Sequence, residues 1–103
     1  PGLLESVYEE ILCYEFTKDR ISYKRQLGVP VFYEDMKLDL GFRADMIIED
    51  KVILELKSVE TLLPVHKKQL LTYLKMTNLK LGLLINFNVP LIKNGITRIA
   101  NDL

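Results

Sequence analysis

The sequence predicts an α/β sandwich with a mixed β-sheet, and three features predict it. Two apolar runs rich in β-branched residues, Met46–Ile48 and Val52–Leu54, flank a polar tip, Glu49-Asp50-Lys51, which is a hairpin pattern. Two stretches, Leu3 to about Asp19 and Pro64 to about Thr77, repeat apolar residues at helical spacing. A continuous apolar run, Leu81–Phe87, follows the second helical stretch, and its length and apolarity suit a strand buried on both faces. A strand after a helix pairs parallel to the preceding strand through a right-handed crossover.

In the first helix Leu4, Val7, Tyr8, Ile11 and Leu12 recur at steps of three and four, which predicts one apolar stripe. On that wheel Glu5 falls at the edge of the stripe and Glu15 nearer its centre, while Glu9 and Glu10 face solvent. Ile21 to about Tyr33 reads as one or two strands broken at Gly28 and Pro30, the proline pointing to an edge or a bulge. Glu34-Asp35-Met36-Lys37 is a polar turn, and Gly41 allows a bend or a close backbone approach. Two strands follow, roughly Ala44–Ile48 and Val52–Val59. Proline suits the first turn of the helix that starts at Pro64. Asn78 is its stop, and Ile96–Ile99 is a short last strand.

The 103 residues suit one domain, read as 1–103, and 49% apolar content is enough for a packed core. No apolar stretch is long enough to span a membrane. No secretory signal pattern is present, and a lone cysteine, Cys13, cannot close an internal disulfide. Both observations point to the cytoplasm. One cysteine also excludes a thiolate metal cage. The net charge is zero, but it is uneven. Residues 1–60 carry 13 acids and 8 bases, whereas residues 61–103 carry one acid, Asp102, and six bases. A basic half can bind phosphates and an acidic half can hold cations; ordinary solvated, internally paired surface is the alternative.

Asp45, Glu55 and Lys57 put charge at the base of the hairpin, where a strand ought to be apolar. Buried carboxylates are costly unless paired or bound to a cation. Glu55 and Lys57 are two apart on a strand and so share a face. Asp45 joins them if it lies opposite Glu55, which places Ile48 opposite Val52 and makes the loop three residues long. A two-residue loop would turn Asp45 away unless a bulge compensates. With that register two hard oxygen donors converge, suited to Mg²⁺ or Mn²⁺, ions that also take substrate phosphate oxygens. Lys57 then orients an attacking water or neutralises charge on a phosphorane-like transition state. The Leu56 carbonyl can complete the shell, and Glu5 can add a third carboxylate, directly or through water. The plainer reading is an exposed cross-strand ion pair. Gln69 and Tyr73, four apart on the second helix, read alone as a packed face, His66 as a structural residue and Cys13 as core.

Taken together these residues resemble the PD-(D/E)xK nuclease superfamily, and within it the bacterial GxxExxY proteins. Gly2, Glu5 and Tyr8 match the latter's name motif. Gly41-Phe-Arg-Ala-Asp45 and Glu55-Leu-Lys57 match the superfamily's metal-binding core, with Ala44 where the superfamily name has proline. Gln69 with Tyr73 matches the Gln-x-x-x-Tyr motif of RecB-like nucleases. The motifs occur in the expected order along nearly the whole chain. The resemblance implies a restriction-endonuclease-like core, a mixed sheet flanked by helices. It implies Asp45 and Glu55 as metal ligands, Lys57 as the catalytic lysine and Glu5 as an auxiliary acid. Gln69, Tyr73, Arg43 and Tyr8 would support the site or contact substrate. The expected activity is Mg²⁺-dependent hydrolysis of nucleic acid, most readily DNA. A nucleic-acid-binding or assembly module without turnover is the alternative, and edge strands leave room for a homodimer.

Overall fold

The computed structural model describes residues 2–28, 31–38 and 43–102. In chain order it runs α1 (Gly2–Lys18), β1 (Tyr23–Gly28), β2 (Val31–Tyr33), β3 (Met36–Leu38), β4 (Arg43–Ile48), β5 (Val52–Lys57), α2 (Pro64–Thr77), β6 (Leu81–Asn86) and β7 (Ile96–Ala100), with a short 3₁₀ turn at Ile92–Gly95. Five strands form the main sheet in the order β1-β4-β5-β6-β7, and β2 and β3 make a separate hairpin. Neighbours in the main sheet are antiparallel except β5 and β6, which run parallel as the crossover through α2 requires. The stretch read as one or two strands between Ile21 and Tyr33 is therefore two strands in two different sheets. Pro30, Gly41 and Phe42, to which the sequence reading gave roles, lie outside the described residues.

The β4–β5 hairpin has the three-residue connection expected, with Ile48 opposite Val52, Ile47 opposite Ile53 and Met46 opposite Leu54. Glu49 and Asp50 both adopt left-handed backbone (φ 53° and 56°), and Lys51 N–H donates to Ile48 C=O at 2.9 Å. Glu49 is held from the other side by Ser22, whose hydroxyl donates to its carboxylate at 2.8 Å.

The sheet has a packed face on each side. On one, Ala44, Ile47, Ile53 and Leu84 meet Leu70, Tyr73 and Leu74 of α2. On the other, Met46, Leu54, Leu56 and Ile85 meet Cys13, with Leu12 and Phe16 of α1 beside it. Met46, Ile53, Leu56, Leu70, Leu74 and Leu84 are almost wholly enclosed, each worth about 1.5–3 kcal/mol of transfer free energy. Gly82 lets α2 approach this closely, since a Cβ there would lie 2.9 Å from Leu70. At the ends of α2, the His66 imidazole Nδ1 accepts from Leu63 N–H at 3.0 Å, and Asn78 closes the helix in the left-handed conformation.

Helix α1 corrects the sequence reading. Leu4, Val7 and Ile11, assigned to the buried stripe, are about half exposed, and Tyr14 is 68% exposed. The inner face carries Glu5, Tyr8, Glu9, Leu12, Cys13 and Phe16 instead. Glu9, expected in solvent, is buried, and Glu15, placed near the stripe's centre, is exposed beside Lys18. The cause is specific pairing. Arg25 of β1 donates to one Glu9 oxygen through Nε (3.0 Å) and Nη2 (2.9 Å), and Gln26 Nε2 donates to the other at 2.8 Å. A carboxylate with three donors can be buried, so apolar periodicity alone does not set the rotation of this helix.

Candidate active site at the base of the hairpin

Beyond Met46 and Leu54, side chains take over from the β4–β5 ladder. Asp45 Oδ2 accepts from Leu56 N–H at 2.8 Å, and Glu55 Oε1 accepts from Asp45 N–H at 3.2 Å. Each carboxylate is thus fixed by the other strand's backbone. Simple face sharing is not what joins them. Ala44 packs on the α2 side with Ile47, yet Met46 packs on the α1 side. Residues two apart on a regular strand share a face, so the alternation slips at Asp45. Across from it on β1, between the Arg25–Met46 and Leu27–Ala44 pairs, Gln26 has φ 49°. The slip turns Asp45 toward an open cavity of about 230 Å³ lined by Glu5, Ser6, Glu9, Gln26, Asp45 and Leu56.

Electrostatics at the pair follow from this enclosure. Burial pushes the Asp45 carboxyl above its ordinary value, and the Glu9 and Glu5 charges add to the rise; the Leu56 N–H and the Lys57 charge oppose it. Glu55 is pushed up to about 8, first by burial and then by Asp45, with the Asp45 N–H and Lys57 opposing. Near neutral pH the two acids titrate as one coupled unit that retains a proton. Tyr73 is also raised, by burial first and then by the Glu55 and Asp45 charges, and accepts a hydrogen bond from Gln69 Nε2 at 3.0 Å. The Gln-x-x-x-Tyr pair therefore sits within electrostatic reach of the acids.

Lys57, the last residue of β5, is half-buried and pairs in register with Asn86 of β6. Glu5 accepts from Ser58 N–H at 3.2 Å and lines the cavity with Asp45. Tyr8, one turn on, stacks face to face on Phe87, ring centroids 3.9 Å apart. Arg43 donates to Gln26 C=O at 3.0 Å. Among the described residues no three His, Cys, Asp or Glu side chains are gathered as a ready-made metal cage. The donor chemistry still suits a hard divalent cation. Two desolvated carboxylates hold more negative charge than they can keep unprotonated, and a cation can take the proton's place.

Sequence reasoning missed Glu9, Arg25, Gln26, Asn86 and Phe87. Asn86 carried the same signal that exposed Glu55, a polar residue inside an apolar strand, and asks for the same explanation.

A mixed five-stranded sheet packed between helices, with parallel β5 and β6 joined through α2, is the α/β restriction-endonuclease-like fold. Residues 1–99 match the family model for the PD-(D/E)XK nuclease superfamily, and the chain belongs to that superfamily. Its nucleases generally use divalent metals. No curated protein and no solved structure matches the chain significantly.

Proposed function

We propose that the protein is a Mg²⁺- or Mn²⁺-dependent deoxyribonuclease of the GxxExxY group. The observation that carries this reading is the pair of buried Glu55 and half-buried Asp45, held by each other's strand backbone, raised in pKa and set beside Lys57 at the end of β5. Asp45 and Glu55 would hold the cation, with Glu5 reaching it through water across the cavity. When bound, the cation supplies Lewis-acid polarisation of the phosphate and a more acidic water. The chain's own residues do the rest. The reciprocal backbone bonds of Asp45 and Glu55 hold the carboxylates in place. Lys57 orients the attacking water and offsets charge on the pentavalent phosphorus. Tyr73, steadied by Gln69, borders the acids from α2.

The exposed lysines Lys67, Lys68 and Lys75 on α2 supply a positive surface for a phosphate backbone. A cytoplasmic location and a homodimer remain part of the proposal. The test is incubation of single-stranded, duplex and branched DNA with Mg²⁺ or Mn²⁺, repeated with Lys57→Ala. Cleavage that is lost in the variant supports the reading, and no metal-dependent cleavage of any substrate defeats it.

A second reading draws on the lack of a three-ligand cluster among the described residues. The fold would then serve as a nucleic-acid-binding or assembly module without turnover. Binding without cleavage, unchanged by Asp45→Asn, selects it.

A further inference from the structure

Lys57 is not held in place by β5 alone. The segment Lys57-Ser58-Val59 runs from the last residue of β5 into the loop and is gripped from two directions. From α1, Glu5 accepts from Ser58 N–H. From β6, Asn86 Oδ1 accepts from Val59 N–H at 3.1 Å and from Asn88 N–H at 3.2 Å, while Asn86 Nδ2 donates to Val59 C=O at 2.9 Å. The next residue, Phe87, donates its N–H to Lys57 C=O at 2.8 Å, and its ring carries Tyr8.

Asn86 is 4% exposed, and both ends of its amide are used. Its backbone is fixed as well. A Cβ at Gly95 would lie 2.0 Å from Asn86 C=O, so the turn after β6 closes against this residue only because position 95 is glycine. Pairing both the N–H and the C=O of Val59 makes Asn86 a substitute for the next rung of the β5–β6 ladder. It extends the strand's order past Lys57 without another residue of β-sheet.

We propose that Asn86 is a positioning residue for Lys57, setting the direction from which the ammonium meets the Asp45–Glu55 pair. The claim deepens the nuclease reading and rests on it for its catalytic consequence. It also accounts for the i, i+3 spacing of Glu5 and Tyr8. Both residues lie on one face of α1, and both brace the same segment, Glu5 through Ser58 and Tyr8 through Phe87.

Asn101 provides a matched control. It is another buried asparagine on β6's border, but at the strand's opposite end, where its Nδ2 donates to Leu79 C=O at 3.1 Å. Three variants are compared with the parent: Asn86→Ala, Asn86→Asp and Asn101→Ala. Asn86→Asp retains both accepting bonds and loses the donation to Val59, so it keeps the test open if Asn86→Ala does not fold. Two readouts are taken, cleavage of labelled DNA with Mn²⁺ and the rate of reductive methylation at Lys57 followed by mass spectrometry.

The expected result for the Asn86 variants is a kcat about 10- to 100-fold lower, since displacing a catalytic group by an ångström costs that much. KM and the calorimetric Mn²⁺ affinity stay within about threefold, and Lys57 methylates several-fold faster. Asn101→Ala leaves kcat and the methylation rate unchanged. Equal kcat losses and equal Lys57 methylation rates in the Asn86 and Asn101 variants overturn the proposal. If the parent cuts no DNA, the nuclease reading falls by itself, and the methylation rate alone decides whether Asn86 positions Lys57.

Discussion

Glu55 makes the metal-free protein less stable as the pH rises, and replacing it with glutamine removes that dependence. The carboxyl moves from an ordinary 4.5 in the unfolded chain to about 8 in the fold. The folded state therefore keeps a proton that the unfolded state releases. Stability from this group is greatest below about pH 4.5, declines as pH rises through the interval, and levels off above about 8. Between pH 5 and pH 7 the loss is roughly 2–3 kcal/mol. In a domain of this size that is on the order of 10 °C or more in Tm. Asp45, also raised, adds to the slope in the same direction. The assay is thermal unfolding by circular dichroism in EDTA at half-unit pH steps. Glu55→Gln keeps the side chain's shape without its ionisation, so its Tm falls much less steeply over the range, with only the Asp45 share left, and exceeds the parent's at pH 8. A parent Tm that rises from pH 5 to pH 8, or a Glu55→Gln variant that keeps the full slope, refutes the reasoning.

Four further outcomes follow from the same geometry. Because a cation must displace the shared proton, Mn²⁺ affinity measured by calorimetry increases up to about tenfold per pH unit from pH 6 to 8, with proton release visible as a buffer-dependent heat; Glu55→Gln abolishes the binding. Lys57→Ala lowers the DNA cleavage rate by about 10²- to 10⁴-fold while Mn²⁺ still binds. Gly82→Ala forces a methyl to within 2.9 Å of Leu70 and costs about 1–3 kcal/mol in urea unfolding. Leu4→Ser, on the outer face of α1, changes stability by less than about 0.5 kcal/mol, whereas Leu12→Ala, on the inner face, costs about 2 kcal/mol or more.

What could be read from the sequence is what local chemistry determines. The two apolar, β-branched runs on either side of the polar Glu49-Asp50-Lys51 tip mark the hairpin, and the three-residue connection pairs Ile48 with Val52 as expected. Pro64 and Asn78 mark the ends of α2 for reasons internal to the helix. Glu55 and Asp45 stood out because charge in an apolar strand needs a partner. The rotation of α1 was not legible. It depends on Arg25 and Gln26, two residues on a strand 16 and 17 positions from Glu9, reaching the same carboxylate. An ion pair made across that distance, with Glu9 buried and Arg25 at the surface, outweighs the apolar count of the helix. The slip at Asp45 was hidden for a similar reason. Alternation predicts a face for each residue, and a distorted pair such as Asp45 and Gln26 shows itself only when both strands are in place.

The account stands on a divalent ion at Asp45 and Glu55, and anomalous diffraction from a crystal soaked in Mn²⁺ near pH 8 tests that most directly. The predicted result is a single strong peak about 2 Å from an oxygen of each carboxylate, with Lys57 facing the same space. The contradicting result is a crystal in which manganese is absent from that position while Asp45 and Glu55 remain hydrogen-bonded to each other.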